Sequence, residues 1–149
     1  MPQSLSKVLL HIVFSTKNRQ PLIDPSFENG LYSYISGIIN KQGCKLLIAG
    51  GTADHIHLLV SLGKQIFITT LIGHIKRKSS IWVKANGGPR DFYWQEGYGV
   101  FSIGQSQVSA VTKYIAIQKQ HHAKQHFQDE LRSFLQRYEV EYDEGYVWD

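Results

Sequence analysis

Cysteine is almost missing from these 149 residues, with Cys44 standing alone. One thiol closes no intrachain disulfide and builds no cysteine-based zinc site, which fits a reducing compartment. Long apolar runs are missing too. The N-terminal stretch MPQSLSKVLLHIVFSTKNR holds one short apolar segment followed by Lys17 and Arg19. It alternates too regularly and is too short for a signal peptide or a membrane span, so the expected location is cytoplasmic, with no membrane partner. No repeat, low-complexity tract or linker interrupts the chain. At 42% hydrophobic residues its length suits a single domain over residues 1–149. Charge of one sign is also modest. Sixteen Lys and Arg against twelve Asp and Glu give +4 and a pI near 9.2, a balance that suits a polyanionic partner without requiring one.

What is present is periodicity. Residues 8–15 (VLLHIVFS) alternate with a period of two, placing Val8, Leu10, Ile12 and Phe14 on one side of a strand and Leu9, His11, Val13 and Ser15 on the other. Residues 27–42 repeat apolar side chains at helical spacing, with Gly43 as a stop. Two short apolar runs, 44–49 and 55–61, flank Gly50-Gly51-Thr52-Ala53-Asp54 and predict a hairpin. A second helix is expected over 66–83, a fourth strand over 92–103, a third helix over 107–122 and a last amphipathic helix over 127–137. The order βαββαβ followed by helices predicts an α+β, ferredoxin-like antiparallel sheet with strands one and three central and two helices on one face. The other face then needs a cover, either a second subunit or the C-terminal helices.

Two patterns carry chemistry. His55-Ile56-His57 on a strand sends both imidazoles to one face and Ile56 to the other, and neutral imidazoles ligate divalent ions. Asp54, just before them, is placed to orient a ligand histidine or to hold the turn. Alone, the pair reads more readily as two structural histidines on a half-exposed strand. Counting removes several enzyme classes that share the motif. Leu59 stands where a histidine-triad hydrolase needs a third histidine, and no second H-x-S/T motif serves a two-histidine phosphoesterase. No H-E-x-x-H is present, and an amidohydrolase barrel needs roughly 200 residues or more. The second pattern is Tyr114 with Gln118, which at i and i+4 share a helix face. A tyrosine hydroxyl, with a reference pKa of about 10, needs a cation or a metal-polarised target to act as a nucleophile, and a glutamine carbonyl ligates hard cations. Alone, Tyr114 is one of eight tyrosines and reads as amphipathic core.

Together with HIVFSTKNR, GGTADHIHLLV, WQEGYGVFS, KYIAIQKQHH and the ending VEYDEGYVWD, these patterns resemble the IS200/IS605 family of single-tyrosine HUH transposases along almost the whole chain. The resemblance implies a homodimer with a ferredoxin-like core and a Mg2+ or Mn2+ ion. It also implies cleavage and rejoining of single-stranded DNA at hairpin-containing ends of a mobile element, through a 5′-phosphotyrosine. Carried over by position, His55, His57 and Gln118 are the expected metal ligands and Tyr114 the nucleophile. Many relatives carry Asn where this chain has Ile117, a departure that bears on helix packing rather than on ligation. Candidate DNA contacts are His11, Lys17, Arg19, Lys76, Arg77, Lys78 and Lys113, with Lys119 flanking the tyrosine and His121 and His122 within reach of the site. Phe92, Trp94 and Tyr98 either stack bases or fill the core, and core is the stronger reading. Three alternatives stay open: a domesticated transposase acting on repeated extragenic hairpins, a non-catalytic single-strand-binding dimer, and a phosphoesterase that uses water in place of Tyr114.

Overall fold

The computed structural model describes residues 2–122 and 125–149. Its sheet comprises β1 (Leu9–Ser15), β2 (Lys45–Gly51), β3 (His55–Ser61) and β4 (Gly99–Ile103), in the order β2-β3-β1-β4 with every neighbouring pair antiparallel. This is the expected α+β arrangement, with β1 and β3 at the centre. Helices α1 (Pro25–Lys41) and α2 (Ile68–Ala85) cover one face. The Asp24 carboxylate caps α1 by accepting from the Ser26 N–H at 2.8 Å, and Pro25 occupies the first turn, where its missing N–H costs nothing.

The period of two sorts the central strands between two cores. Leu10, Ile12 and Phe14 of β1 join Ile56, Leu58 and Val60 of β3 beneath Leu31, Ile35, Leu71 and Ile75 of the two helices. Each such fully buried aliphatic side chain contributes about 1.5–3 kcal/mol. The opposite side chains, Leu9, Val13 and Leu59, meet the C-terminal part of the chain. There, α3 (Val108–Ala116), α4 (Gln118–His121) and α5 (Phe127–Arg137) supply Ile115, Phe127, Leu131, Phe134 and Leu135. The chain thus covers its own sheet. Among the described residues no open sheet face is left over as the physical reason for expecting a second subunit there.

Two expected elements differ. The fourth strand is confined to Gly99–Ile103. Upstream, Phe92 and Trp94 serve as core plugs, packed edge-on against each other, and Trp94 also meets Phe14 edge-on at 5.0 Å. One isolated bridge, Thr16 to Trp94, is the pairing recorded for that stretch. The helix expected over 107–122 is broken at Ile117 (φ −104°, ψ 21°), with a 3-10 turn at Gln105–Gln107 leading into it. Across the break the Gln118 side-chain Nε2 donates to the Tyr114 carbonyl at 3.3 Å, a local side-chain bond that offers the backbone an alternative to the helical ladder. None of the described helices is long and apolar enough to cross a membrane.

Candidate active site

The site lies on the sheet face covered by α3, α4 and α5. On β3, His55 and His57 project into it, both with 0% exposure. On β2, Gly50 pairs with His57, and a Cβ at Gly50 would overlap the Ile115 carbonyl oxygen. Glycine there lets the α3 backbone settle directly on the sheet edge. That close approach carries Tyr114 and Gln118 over the histidine pair.

Each imidazole has a partner behind it. His55 Nδ1 lies 2.7 Å from Asp54 Oδ1 and 2.9 Å from Thr52 Oγ1, whose hydroxyl donates to Asp54 Oδ1. The carboxylate only accepts, so the His55 proton sits on Nδ1 and the Nε2 lone pair faces inward. Burial pushes the Asp54 carboxyl up, but bonding to His55 and Thr52 outweighs it and holds the carboxyl below its ordinary value. On His57, Nδ1 lies 2.7 Å from His11 Nε2, diagonally across the β1–β3 pairing. Burial lowers His57 to about 4 despite the Glu130 carboxylate, and lowers His11 to about 3 with help from neighbouring His57. Both rings are therefore neutral near pH 7, the form that ligates metals.

Gln118, only 1% exposed, brings Oε1 to 3.2 Å from His55 Nε2. With the amide nitrogen spent on the Tyr114 carbonyl and the His55 proton on Nδ1, two acceptors face each other. That juxtaposition calls for a proton or a cation between them, and the imidazole and amide oxygen donor set suits a divalent ion. The ligand atoms of His55, His57, His122 and Glu130 all lie within 4.8 Å of one another.

Glu130 was missed by sequence reasoning. It sits on α5 at 2% exposure, with Oε1 2.9 Å from His57 Nε2 and 3.7 Å from His55 Nε2. Its Oε2 accepts the Tyr114 hydroxyl and lies 3.0 Å from His122 Nε2 and 3.5 Å from His121 Nε2. Those last two nitrogens lack hydrogen-bond alignment with it, and both are buried without a hydrogen-bond partner among the described residues. Burial pushes the Glu130 carboxyl up, while His122, His57 and Tyr114 pull it down further, so it stays ionised. Burial and the adjacent carboxylate push the Tyr114 phenol well above its ordinary value. A signal for Glu130 did exist in the sequence. In FQDELRSFLQR the buried positions are Phe127, Glu130, Leu131, Phe134 and Leu135, so the acid stands inside the apolar stripe.

The other expected contacts divide. His11 is 2% exposed and stands behind His57 rather than at the surface, because Phe134 of α5 packs edge-on over it at 5.3 Å. Lys76 is not a free cation. Its Nζ donates to the carbonyls of Gln95, Glu96 and Gly97 at 2.8, 3.0 and 2.6 Å and lies over the Phe14 ring. Lys119 pairs with Glu28 at 2.6 Å. Lys17, Arg19, Arg77 and Lys113 are exposed and Lys78 is half-buried, with Arg77 and Lys78 on α2, across the sheet from the histidines. Phe92 and Trp94 are core, and Tyr98 is 38% exposed. Beside Tyr114 a cavity of about 390 Å³ is lined by His11, His121, Glu130, Phe134 and Arg137, among others.

Comparison with known proteins agrees with this architecture. Two curated relatives, the transposases for insertion sequence element IS200 of Salmonella typhimurium and Salmonella typhi, are each 26% identical over 102 residues. Those matches cover 64% of this chain and 67% of each relative. Among solved structures, a candidate transposase from Deinococcus radiodurans R1 superposes with a TM-score of 0.59 at 20% identity, covering 79% of this chain and 98% of the other. A REP-associated tyrosine transposase bound to a REP hairpin gives 0.61 at 15% identity, covering 82% and 73%. The family described as "Transposase IS200 like" matches residues 4–118 of the 149, and the chain belongs to that family.

Proposed function

We propose that this protein cleaves and rejoins single-stranded DNA at the ends of a mobile element through a 5′-phosphotyrosine on Tyr114, assisted by Mg2+ or Mn2+ held by His55, His57 and Gln118. The observation that carries this reading is convergence. The Tyr114 hydroxyl, the inward nitrogens of both histidines and Gln118 Oε1 meet in one buried cluster, with the His57 and Tyr114 ring centroids 5.8 Å apart.

A bound ion supplies Lewis-acid polarisation of the scissile phosphate. The chain supplies the rest. Asp54 fixes the His55 tautomer, and His11 backs His57. The Tyr114 oxygen attacks phosphorus, the bond from phosphorus to the 3′ oxygen breaks, and that oxygen takes a proton and departs as a 3′-OH. The tyrosine proton leaves toward the acceptor it already faces, Glu130 Oε2. A 3′-OH then attacks the phosphotyrosine, restoring a phosphodiester and freeing Tyr114. One phosphodiester is exchanged for another, so joining needs no ATP. The cavity beside Tyr114 offers room for the strand, with Arg137 in its wall to meet a backbone phosphate.

A hairpin-containing single strand is the proposed partner, in keeping with the fold shared with a hairpin-bound transposase. A homodimer belongs to the proposal on family resemblance alone. Tyrosine and histidines of one chain meet here, which supports a site completed within a single chain. We further propose that residues 1–149 act as one domain.

Labelled single strands carrying the hairpins that flank the gene, incubated with Mn2+, provide the test. A covalent protein–DNA band is expected with the unaltered chain and none with Tyr114→Phe. An adduct that survives Tyr114→Phe would sink the nucleophile assignment. Cleavage without any adduct would point to water as the nucleophile, and binding without cleavage to a non-catalytic dimer.

A further inference from the structure

We infer that Glu130, on the C-terminal helix α5, is an anionic ligand of the divalent ion, and that its second oxygen holds the nucleophile beside that ion. The inference rests on the metal-assisted reading above and deepens it. It concerns a residue on the C-terminal helix α5, beyond the segment 4–118 that matches the family.

Donor chemistry is the first argument. His55, His57 and Gln118 are all neutral donors, two of them nitrogens. Mg2+ and Mn2+ favour hard oxygen ligands, and protein Mg2+ sites ordinarily include one or two carboxylates. Among the described residues, Glu130 is the carboxylate found in the cluster of close metal-capable side chains. It is 2% exposed, and an acid is held at such depth only when something compensates its charge.

Geometry is the second. Octahedral coordination with bonds of about 2.1 Å places ligand atoms about 3.0 Å apart at right angles and about 4.2 Å apart when opposed. Glu130 Oε1 lies 2.9 Å from His57 Nε2 and 3.7 Å from His55 Nε2, and Gln118 Oε1 lies 3.2 Å from His55 Nε2. All three separations fall within or at the edge of that interval, so each of these three pairs is spaced as co-ligands are. The two carboxylate oxygens also divide their work. Oε1 faces the histidine pair, while Oε2 accepts the Tyr114 hydroxyl and faces His122 at 3.0 Å. One carboxylate thus sets the distance between ion and nucleophile.

The placement of Glu130 within α5 supports a built site. Phe127, Leu131, Phe134 and Leu135 anchor the helix to Val13 and Phe101 of the sheet, and Glu130 is carried between them on the same face. Hydrophobic burial therefore positions the acid, and the acid does not have to hold the helix in place.

The test measures Mn2+ binding by the full-length chain, from the loss of the free-ion electron paramagnetic resonance signal, with no DNA present. Glu130→Gln keeps the shape and hydrogen-bonding reach of the side chain and removes its charge. It is expected to weaken Mn2+ binding by at least about tenfold, in the range seen when groups supporting a metal site are lost. Asp129→Asn, altering an exposed neighbour paired with Arg132, leaves the affinity unchanged. Equal affinity in Glu130→Gln overturns the inference. Equal affinity with faster adduct formation would identify Glu130 as an anion that blocks the phosphate position, which overturns it as well.

A crystal structure of the unaltered chain grown with Mn2+ decides the matter even if the variant does not fold. An anomalous peak bonded to Glu130 Oε1 supports the inference. A peak on His55, His57 and Gln118 with the carboxylate turned away overturns it and leaves the proposed function standing. Failure of the unaltered chain to bind Mn2+ by either method would overturn both.

Discussion

His11 Nε2 lies 2.7 Å from His57 Nδ1, and the two buried rings form a pair that reaches from β1 to the centre of the site. Without an ion, Glu130 Oε1 at 2.9 Å accepts from His57 Nε2. For that nitrogen to ligate, His57 must donate from Nδ1 instead, and His11 Nε2 is the acceptor that supports this tautomer. A His11→Phe variant preserves the packing against Phe134 and deletes the acceptor. Mn2+ affinity is expected to fall about 10–100-fold, while hairpin DNA binding measured in chelator stays unchanged. The reverse pattern, intact metal binding with weakened DNA binding, would restore the phosphate-contact role that the sequence suggested.

Gly50 makes a different kind of contribution, one of clearance. Because a Cβ there overlaps the Ile115 carbonyl, Gly50→Ala must push α3 off β2. Overpacking of this kind costs about 1–3 kcal/mol, readable as a lower denaturant midpoint. Since Tyr114 and Gln118 flank Ile115, the same variant should lose adduct formation even where it remains folded. A variant that is less stable yet cleaves normally would show that α3 can shift without disturbing the tyrosine.

Much of this was legible in local pattern. The segment HIHLLVS forms β3 with the boundaries its alternation implies, and FQDELRSFLQR forms α5 likewise, because periodicity is a local property. The shared face of His11 and the histidine pair was legible for the same reason. The burial of His11 was not, since it depends on Phe134 more than a hundred residues away. The break at Ile117 carries no glycine or proline to announce it, and the Gln118 amide that reaches the Tyr114 carbonyl across it is a side-chain contact that periodicity does not register. Residues 92–98 have strand-like composition, yet Phe92 and Trp94 are drawn into the helix-covered core as plugs. Glu130 required seeing an acid in an apolar stripe as a charge awaiting a partner.

Lys76 separates structural from nucleic-acid-facing cations. Lys76→Met removes the charged donor for three part-buried or exposed carbonyls, at a cost of about 1 kcal/mol. The salt dependence of DNA binding should not change, because this ammonium is already engaged. Exposed Lys17 and Arg19 differ. For each that contacts a single strand, replacement by alanine lowers the slope of log affinity against log salt by about 0.7. A reduced slope in Lys76→Met would show that the ammonium leaves its carbonyls for phosphate.

Acid should unfold the metal-free protein in two overlapping steps. His11 and His57 titrate near 3 and 4 in the folded chain, depressed mainly by burial, against an ordinary 6.5. As pH falls below 6.5 the unfolded chain binds protons that the folded chain refuses. Stability present above 6.5 is therefore lost progressively toward pH 4, by up to about 1.4 kcal/mol per pH unit for each histidine. The Glu130 carboxyl, depressed by its histidine and tyrosine partners despite burial, adds a second loss as pH falls below its ordinary value of 4.5. Denaturant melts in chelator from pH 8 to pH 4 read the first step directly. His11→Phe should flatten the slope between pH 6.5 and 4 by removing one of the two histidines, and an unaltered slope would mean that His11 is protonated in the folded chain.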